Sequence, residues 1–395
     1  MKERQLFNMK VVQINTFSNK STGSIMMNIH NKLKNEGIES YVVWGRGRLE
    51  KEENEIFMND KLGVYFHGLY TRITDKTGFA SNTSTKRLLK KLDEIKPDII
   101  HLHNIHGYYI NIEMLFNYIK KNNIKVIWTL HDCWAFTGHC SHFEFIGCEK
   151  WKTRCNNCPQ SKLYPKSFKD NSEWNYQKKK ELFTGLNMII VTPSEWLANL
   201  VKKSFLKEYE VKIINNGIDT DIFKPRESNF REKYDLQDKK IILGVASDWT
   251  KEKGFYDFIH LSKIVNNDEK IVLVGLNDRQ LKKLPDNIIG IKRTENATQL
   301  AQIYTAADIY FNPTYADTFP TTNLEANACG IPVITYNTGG SPESAKVGMV
   351  IKDLQEFIIK KDEIIHFNTE NKSCIKNNID LVNEYWQLYL LLNEK

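Results

Sequence analysis

Asn312-Pro-Thr-Tyr-Ala-Asp317-Thr-Phe-Pro-Thr-Thr-Asn-Leu-Glu325-Ala-Asn-Ala-Cys-Gly330-Ile-Pro-Val-Ile-Thr335 is the stretch that decides the fold class of this chain. The apolar run Ile309 to Asn312 reads as a buried strand that empties into a polar loop. A helix is expected from Thr321 or Thr322, ended by Gly330 with Pro332 close behind, the usual stop arrangement. Pro332 to Tyr336 then reads as a second buried, parallel strand. The three form a βαβ unit. Its loop and helix N-terminus lie at the carboxyl edge of a sheet, where open α/β folds bind ligands. Backbone N–H groups of Phe319, Thr321, Thr322 and Asn323 are expected to face an anion there, helped by the helix dipole. Asp317 stands just before the helix and Glu325 inside it, with seven residues between them. Two acids flanking a phosphate-binding turn suit a ligand with both phosphate and hydroxyl groups, which describes a nucleotide sugar.

The segment resembles the acid-x7-acid signature of family 4 retaining glycosyltransferases. The Pro-Thr-Tyr before it and the Glu-Ala-x-Ala-Cys-Gly-x-Pro-Val-Ile within and after it carry that resemblance; acids at this spacing alone read as a capped surface helix. The resemblance implies the α/β GT-B fold, two Rossmann-like domains facing each other across a cleft. It implies transfer of a hexosyl group from a nucleotide sugar, UDP- or GDP-linked, with no catalytic metal. In such enzymes the first acid touches the donor sugar and the second holds the ribose hydroxyls. Asp317 stands where Glu is usual, so the sugar contact is one methylene shorter.

The second half of the chain extends the pattern. Asn215-Asn-Gly-Ile-Asp219-Thr-Asp221-Ile-Phe-Lys-Pro225 resembles the family's interdomain linker, which discounts Asp219-Thr-Asp221 as a metal-binding triplet of the other glycosyltransferase fold. Lys240 to Ala246 reads as a buried strand, and the loop Ser247 to Gly254 after it would hold the donor diphosphate. Lys253 matches the family's lysine, whereas Asp248 occupies the usual arginine position, which leaves Lys251 to compensate. Thr338 to Glu343 resembles the segment that closes the site. A final helix, about Cys374 to Leu392, is expected to cross back onto the first domain. The expected division is 1–216 for an acceptor domain, 217–370 for a donor domain and 371–395 for that helix.

In the first half, Lys10 to Thr16 reads as a strand and Asn19 to Ser24 as the loop after it. Gly23 there either faces the diphosphate and acceptor or makes an ordinary turn with a positive φ angle. Gly45-Arg46-Gly47-Arg48 follows a second strand without a firm role, and residues 50–85 show no clear pattern. Pro97 to Gly107 reads as a buried strand with a His-rich exit; His101 is expected in the core, His103 and His106 towards an acceptor. His131 directly follows the strand Lys125 to Leu130. It is either structural or, as the resemblance implies, in contact with the donor sugar at the reacting carbon.

Five of the seven cysteines fall between Cys133 and Cys158. Cys140, Cys148, Cys155 and Cys158 fit a four-cysteine zinc site clipping the insert 133–160, with His139 and His142 in reserve. Free thiols and redox use stay open. A subset of the resembling family carries a similar insert.

The 395 residues, 41% of them hydrophobic, suffice for two full cores. The net charge of +7 comes from lysines, in runs such as Lys86 to Lys91, Lys120-Lys121 and Lys178 to Lys180. These are expected on solvated helix faces, some facing anionic lipid. No recognition motif accompanies the charge, which argues against nucleic acid. Met1 to Phe17 lacks a signal peptide's apolar run, and no stretch reaches the roughly 18 apolar residues of a membrane helix. The expectation is a cytoplasmic enzyme, peripheral at the inner membrane face, acting on a glycan or lipid-linked glycan in cell-surface polysaccharide synthesis. The rival is a degenerate binding or scaffold protein without turnover.

Overall fold

In the computed structural model, residues 9–19, 21–47, 52–58, 60–364 and 375–394 are described. The chain divides into two compact units, Met1–Ile214 with Val382–Lys395, and Asn215–Leu381.

The first unit is built on seven strands: β1 Lys10–Phe17, β2 Glu39–Arg46, β3 Glu55–Phe57, β4 Ile99–Leu102, β5 Lys125–Thr129, β6 Met188–Thr192 and β7 Glu210–Ile213. They are ordered β3-β2-β1-β4-β5-β6-β7, and every pairing is parallel. Runs such as Ile99-Ile-His-Leu and Met188-Ile-Ile-Val-Thr are buried throughout, as expected of strands covered on both faces by helices. The C-terminal helix Asn378–Glu394 contributes Tyr385 and Tyr389 to this unit's core.

The second unit has six parallel strands: β8 Lys240–Val245, β9 Glu269–Val274, β10 Ile288–Ile291, β11 Ile309–Asn312, β12 Val333–Tyr336 and β13 Gly348–Ile351. Their order is β10-β9-β8-β11-β12-β13. Both sheets follow the Rossmann order, so each has a switch point where neighbouring connections leave in opposite directions, β1/β4 in one and β8/β11 in the other. A parallel sheet splits its exit loops apart at that point, leaving a crevice at the carboxyl edge.

Three expectations need correction. Residues 50–85 are not patternless: they hold β3 and a helix, Lys61–Thr74. Lys179 is not on a solvated face. It is buried against the Trp134 ring, 3.4 Å from its centroid, and donates to the carbonyls of Trp134 (2.8 Å) and Thr137 (3.0 Å). Burial lowers its ammonium to about 7. Gly23 lies within the helix Ser21–Asn35 and has no left-handed φ; a Cβ there would stand 2.5 Å from the Phe17 carbonyl oxygen. Its requirement is the close approach of helix to strand exit. Arg48 and Cys374 lie outside the described residues.

Candidate functional site

At the β8/β11 switch point the loops after these two strands meet. Gly254 makes the approach feasible: its φ is +74°, and a Cβ would lie 2.4 Å from the Pro313 carbonyl oxygen. The Tyr315 N–H donates to the Glu252 carbonyl at 2.7 Å, tying the loops together. Here the Lys253 ammonium pairs with Asp317 Oδ2 at 2.5 Å and donates to the Ala316 carbonyl at 3.3 Å. Asp317 Oδ1 accepts from the Phe319 N–H at 3.1 Å. Its carbonyl accepts from Gly340 at 3.0 Å, which brings the Thr338 to Glu343 segment against it.

The helix Thr321–Ala328 starts after Pro320 and carries Glu325 one turn in. Tyr304 donates to Glu325 Oε2 at 3.1 Å, and the Thr321 hydroxyl lies 3.4 Å from Oε1. Desolvation lifts this carboxyl to about 7 against the lowering effect of those two hydroxyls.

Of the four amides expected to face an anion, two are engaged within the loop. Phe319 bonds Asp317, and the Asn323 N–H donates to the Pro320 carbonyl at 3.3 Å. The fully buried Asn323 side chain is structural: it donates to Ser344 Oγ (2.9 Å) and Ser341 Oγ (3.2 Å) and accepts from Asn312 Nδ2 (2.8 Å). Thr321 and Thr322 remain at the helix N-terminus. Asp248 is exposed on the loop after β8.

In the first unit, β4 and β5 deliver a row of histidines. His101 is buried between the Tyr389 hydroxyl (2.6 Å) and Thr129 Oγ1 (2.8 Å). His103 stacks on His101 at 4.2 Å between centroids and bonds His131 through Nδ1···Nε2 at 3.1 Å. With an exposure of 1%, His103 is not turned towards an acceptor, contrary to expectation; strand β4 carries it into the core, where it props His131. His106 is also largely buried and pairs with Asp132 at 2.9 Å. Burial is the largest influence on Asp132 and would raise it, but His106 and the Trp134 amide hold it at about 2. Burial lowers His131 to about 4, so at neutral pH its ring is an uncharged donor and acceptor.

In the insert, Cys140, Cys148, Cys155 and Cys158 line one small cavity together with His139. The Cys140 and Cys158 thiols are hydrogen-bonded, and Cys155 Sγ accepts from the Gly138 N–H at 3.2 Å. His139 Nδ1 bonds Asp75 at 2.5 Å, while its buried Nε2 has no hydrogen-bond partner. Among the described residues, no group of three or more His, Cys, Asp or Glu is arranged to hold a metal ion. Thus the expected four-cysteine ligand set is not preassembled. Asp75 and His139 were missed as a pair because 64 residues separate them.

Comparison with known proteins agrees with this architecture. A family model described as Glycosyl transferases group 1 matches residues 226–382, and one described as Glycosyltransferase Family 4 matches residues 23–222. Over 227 residues the chain is 26% identical to the colanic acid biosynthesis glycosyl transferase WcaC of Escherichia coli, covering 53% of this chain and 55% of that protein. An uncharacterized 41.2 kDa protein in the cps region of Klebsiella pneumoniae is 22% identical over 93% of this chain and 96% of its own length. The processive diacylglycerol alpha-glucosyltransferase of Acholeplasma laidlawii is 26% identical over 38% of this chain and 48% of its own. The chain therefore spans about half the length of two of these three relatives. Among solved structures, sucrose-phosphate synthase of Thermosynechococcus elongatus superposes with a TM-score of 0.70 at 14% identity, covering 98% of this chain and 99% of that one. Anabaena HepE in complex with UDP and glucose gives 0.66, also at 14% identity, over 97% and 99%. At such identities the likeness establishes the GT-B fold. Because the family 4 model alone covers just over half of the chain, the protein belongs to glycosyltransferase family 4.

Proposed function

We propose that this protein transfers a hexosyl group from a nucleotide sugar to a glycan or lipid-linked glycan, with retention of configuration, in the synthesis of a cell-surface polysaccharide. The observation that carries the reading is the Lys253–Asp317 pair beside the Glu325 helix at the β8/β11 switch point. An ammonium has three N–H donors, and two of Lys253's are directed at Ala316 and Asp317. The third suits a phosphate oxygen. As the bond from sugar carbon to diphosphate breaks, the leaving nucleotide takes the electron pair, and a cation fixed there stabilises the growing charge. Asp317 orients the sugar, Glu325 holds the ribose hydroxyls, and the Thr321 and Thr322 amides assist at the diphosphate. His131 contacts the sugar at the reacting carbon. The acceptor hydroxyl gives up its proton to an oxygen of the departing diphosphate as the new glycosidic bond forms.

HepE has been solved with UDP and UDP-glucose, and relatives named for colanic acid and capsular polysaccharide synthesis support the substrate class. A lipid-linked acceptor would place the protein peripherally at the cytoplasmic membrane face. The cysteine cavity adds a further proposal, a structural zinc ion. The partnerless His139 Nε2, oriented by Asp75, supports it as an additional ligand; the thiols would have to draw in around the ion.

Calorimetry with UDP, GDP, ADP and dTDP and their sugars tests the donor reading. Binding of one nucleotide class, lost in Glu325→Ala, is expected. Absence of binding to every one would overturn it in favour of a non-catalytic scaffold.

A further inference from the structure

The helix Lys61–Thr74 is turned inside out relative to an ordinary amphipathic helix. Leu62, Tyr65, Phe66, Leu69, Tyr70 and Ile73 fall on one stripe at helical spacing, and that stripe faces solvent; Leu62 is 73% and Phe66 61% exposed. The buried side carries His67 and Thr71 instead. Hydrogen bonds hold it in this orientation. Asp60 caps the Gly63 amide at 2.7 Å, and His67 bonds Ser81 Oγ (2.8 Å) and the Gly78 N–H (3.0 Å). At the far end Asp75, in the left-handed conformation, is bound to His139 and accepts from the Asn171 N–H at 2.9 Å. Rolling the helix to bury its stripe would break every one of these contacts.

A second apolar element joins the stripe. The Phe168 N–H donates to the Arg72 carbonyl at 2.8 Å, and its 75%-exposed ring lies beneath the Arg72 guanidinium. Contiguous exposed apolar patches rimmed by polar residues mark interaction surfaces. Cations dominate the surroundings: Lys61, Arg72, Lys162, Lys166 and Lys169 are exposed, and Arg87 of the next helix reaches to 4.0 Å from Asp60. The nearby acids are engaged, Asp60 as the cap and Asp170 on the Cys158 and Ser172 amides.

We propose that this face docks on an anionic lipid bilayer, with the stripe entering the headgroup region and the cations meeting lipid phosphates. The inference deepens the peripheral-membrane part of the proposed function and rests on it for the nature of the occupant. Two copies of so basic a rim would repel each other, whereas anionic headgroups neutralise it. Tyr65 and Tyr70 suit the interface, with apolar rings and polar tips. Among the described residues no helix is long and apolar enough to cross a membrane, so the contact is one that lies on the surface.

The test is flotation of the full chain with vesicles of phosphatidylcholine alone and of phosphatidylcholine mixed with phosphatidylglycerol. Binding to the mixed vesicles is expected, weakened by salt, and reduced about tenfold or more in the double variant Phe66→Asp, Phe168→Asp. Both side chains are exposed, so the variant should fold, as circular dichroism will show. Calorimetry with nucleotide on the same samples reads the donor site separately: its failure would count against the donor reading and leave this surface untouched. Wild-type protein that ignores anionic vesicles would overturn the proposal, as would a double variant that binds them equally well. A dimer dissolved by the double variant, with no vesicle binding, would reassign the face to self-association.

Discussion

Lys253 and Asp317 are 64 residues apart, yet their charged atoms lie 2.5 Å apart because the strands before them, β8 and β11, are neighbours at the switch point of the second sheet. The pair fixes the ammonium, and the proposed mechanism gives its third N–H to the leaving diphosphate. Lys253→Ala should therefore lower kcat by on the order of a hundredfold or more, the usual effect of deleting a group that stabilises developing charge. Nucleotide affinity should fall much less. Turnover with the donor identified by calorimetry measures this, and near-normal turnover would remove Lys253 from the mechanism.

Glu325 gives the site a pH signature. Its folded-state value of about 7 lies above the unfolded carboxyl's, so the native state binds the extra proton and stability falls as pH rises from the ordinary carboxyl range towards 7. In the proposed ribose role the ionised group accepts hydrogen bonds, so nucleotide affinity should rise from pH 6 to pH 8. Glu325→Gln should flatten that rise and increase Tm at pH 8 by about 2–4 °C. A wild-type affinity independent of pH would refute the assignment.

Gly23→Ala tests the close approach in the first unit. The added Cβ meets the Phe17 carbonyl oxygen at 2.5 Å and the Ser18 carbonyl carbon at 2.6 Å, backbone atoms that cannot swing aside. A loss of about 1–3 kcal/mol in unfolding free energy is expected. Denaturant titration giving unchanged stability would show that the helix can shift without cost.

For the insert, elemental analysis of protein expressed with zinc should find one ion per chain. Cys158→Ser and His139→Ala should each lose metal and lower Tm. Zinc-free wild-type protein of unchanged Tm would leave the cavity as a thiol pocket.

His131 and His103 should separate in kinetics. His131→Ala removes a group proposed to touch the sugar and should depress kcat. His103→Ala acts through His131, from which it is 3.1 Å away, and should cost less, with partial recovery in His103→Gln. Equal losses in both alanine variants, without that recovery, would argue that the row is a single structural unit.

The acid-x7-acid segment could be read without coordinates because its signals are local. A buried strand, a polar loop, a glycine stop and a proline follow one another within 25 residues, and β11 and the helix lie where those signals set them. The parallel character of the sheets was legible for the same reason. The Lys61–Thr74 helix was not recognised, although its apolar spacing is regular, because its stripe belongs to no core and neighbouring residues offered no supporting pattern.

The sequence by itself determined a two-domain α/β chain and the residue types gathered at the carboxyl edge of its second sheet, since strand burial, helix stops and loop chemistry are written in neighbouring positions. Tertiary structure alone decided which of those residues meet: Lys253 with Asp317, His103 turned inward behind His131, Lys179 buried on Trp134 and Asp75 on His139. It also decided which side of an amphipathic helix faces water. Periodicity states that a helix has two faces, and only the hydrogen bonds around His67 and Asp75, made to residues distant in sequence, fix which one turns outward.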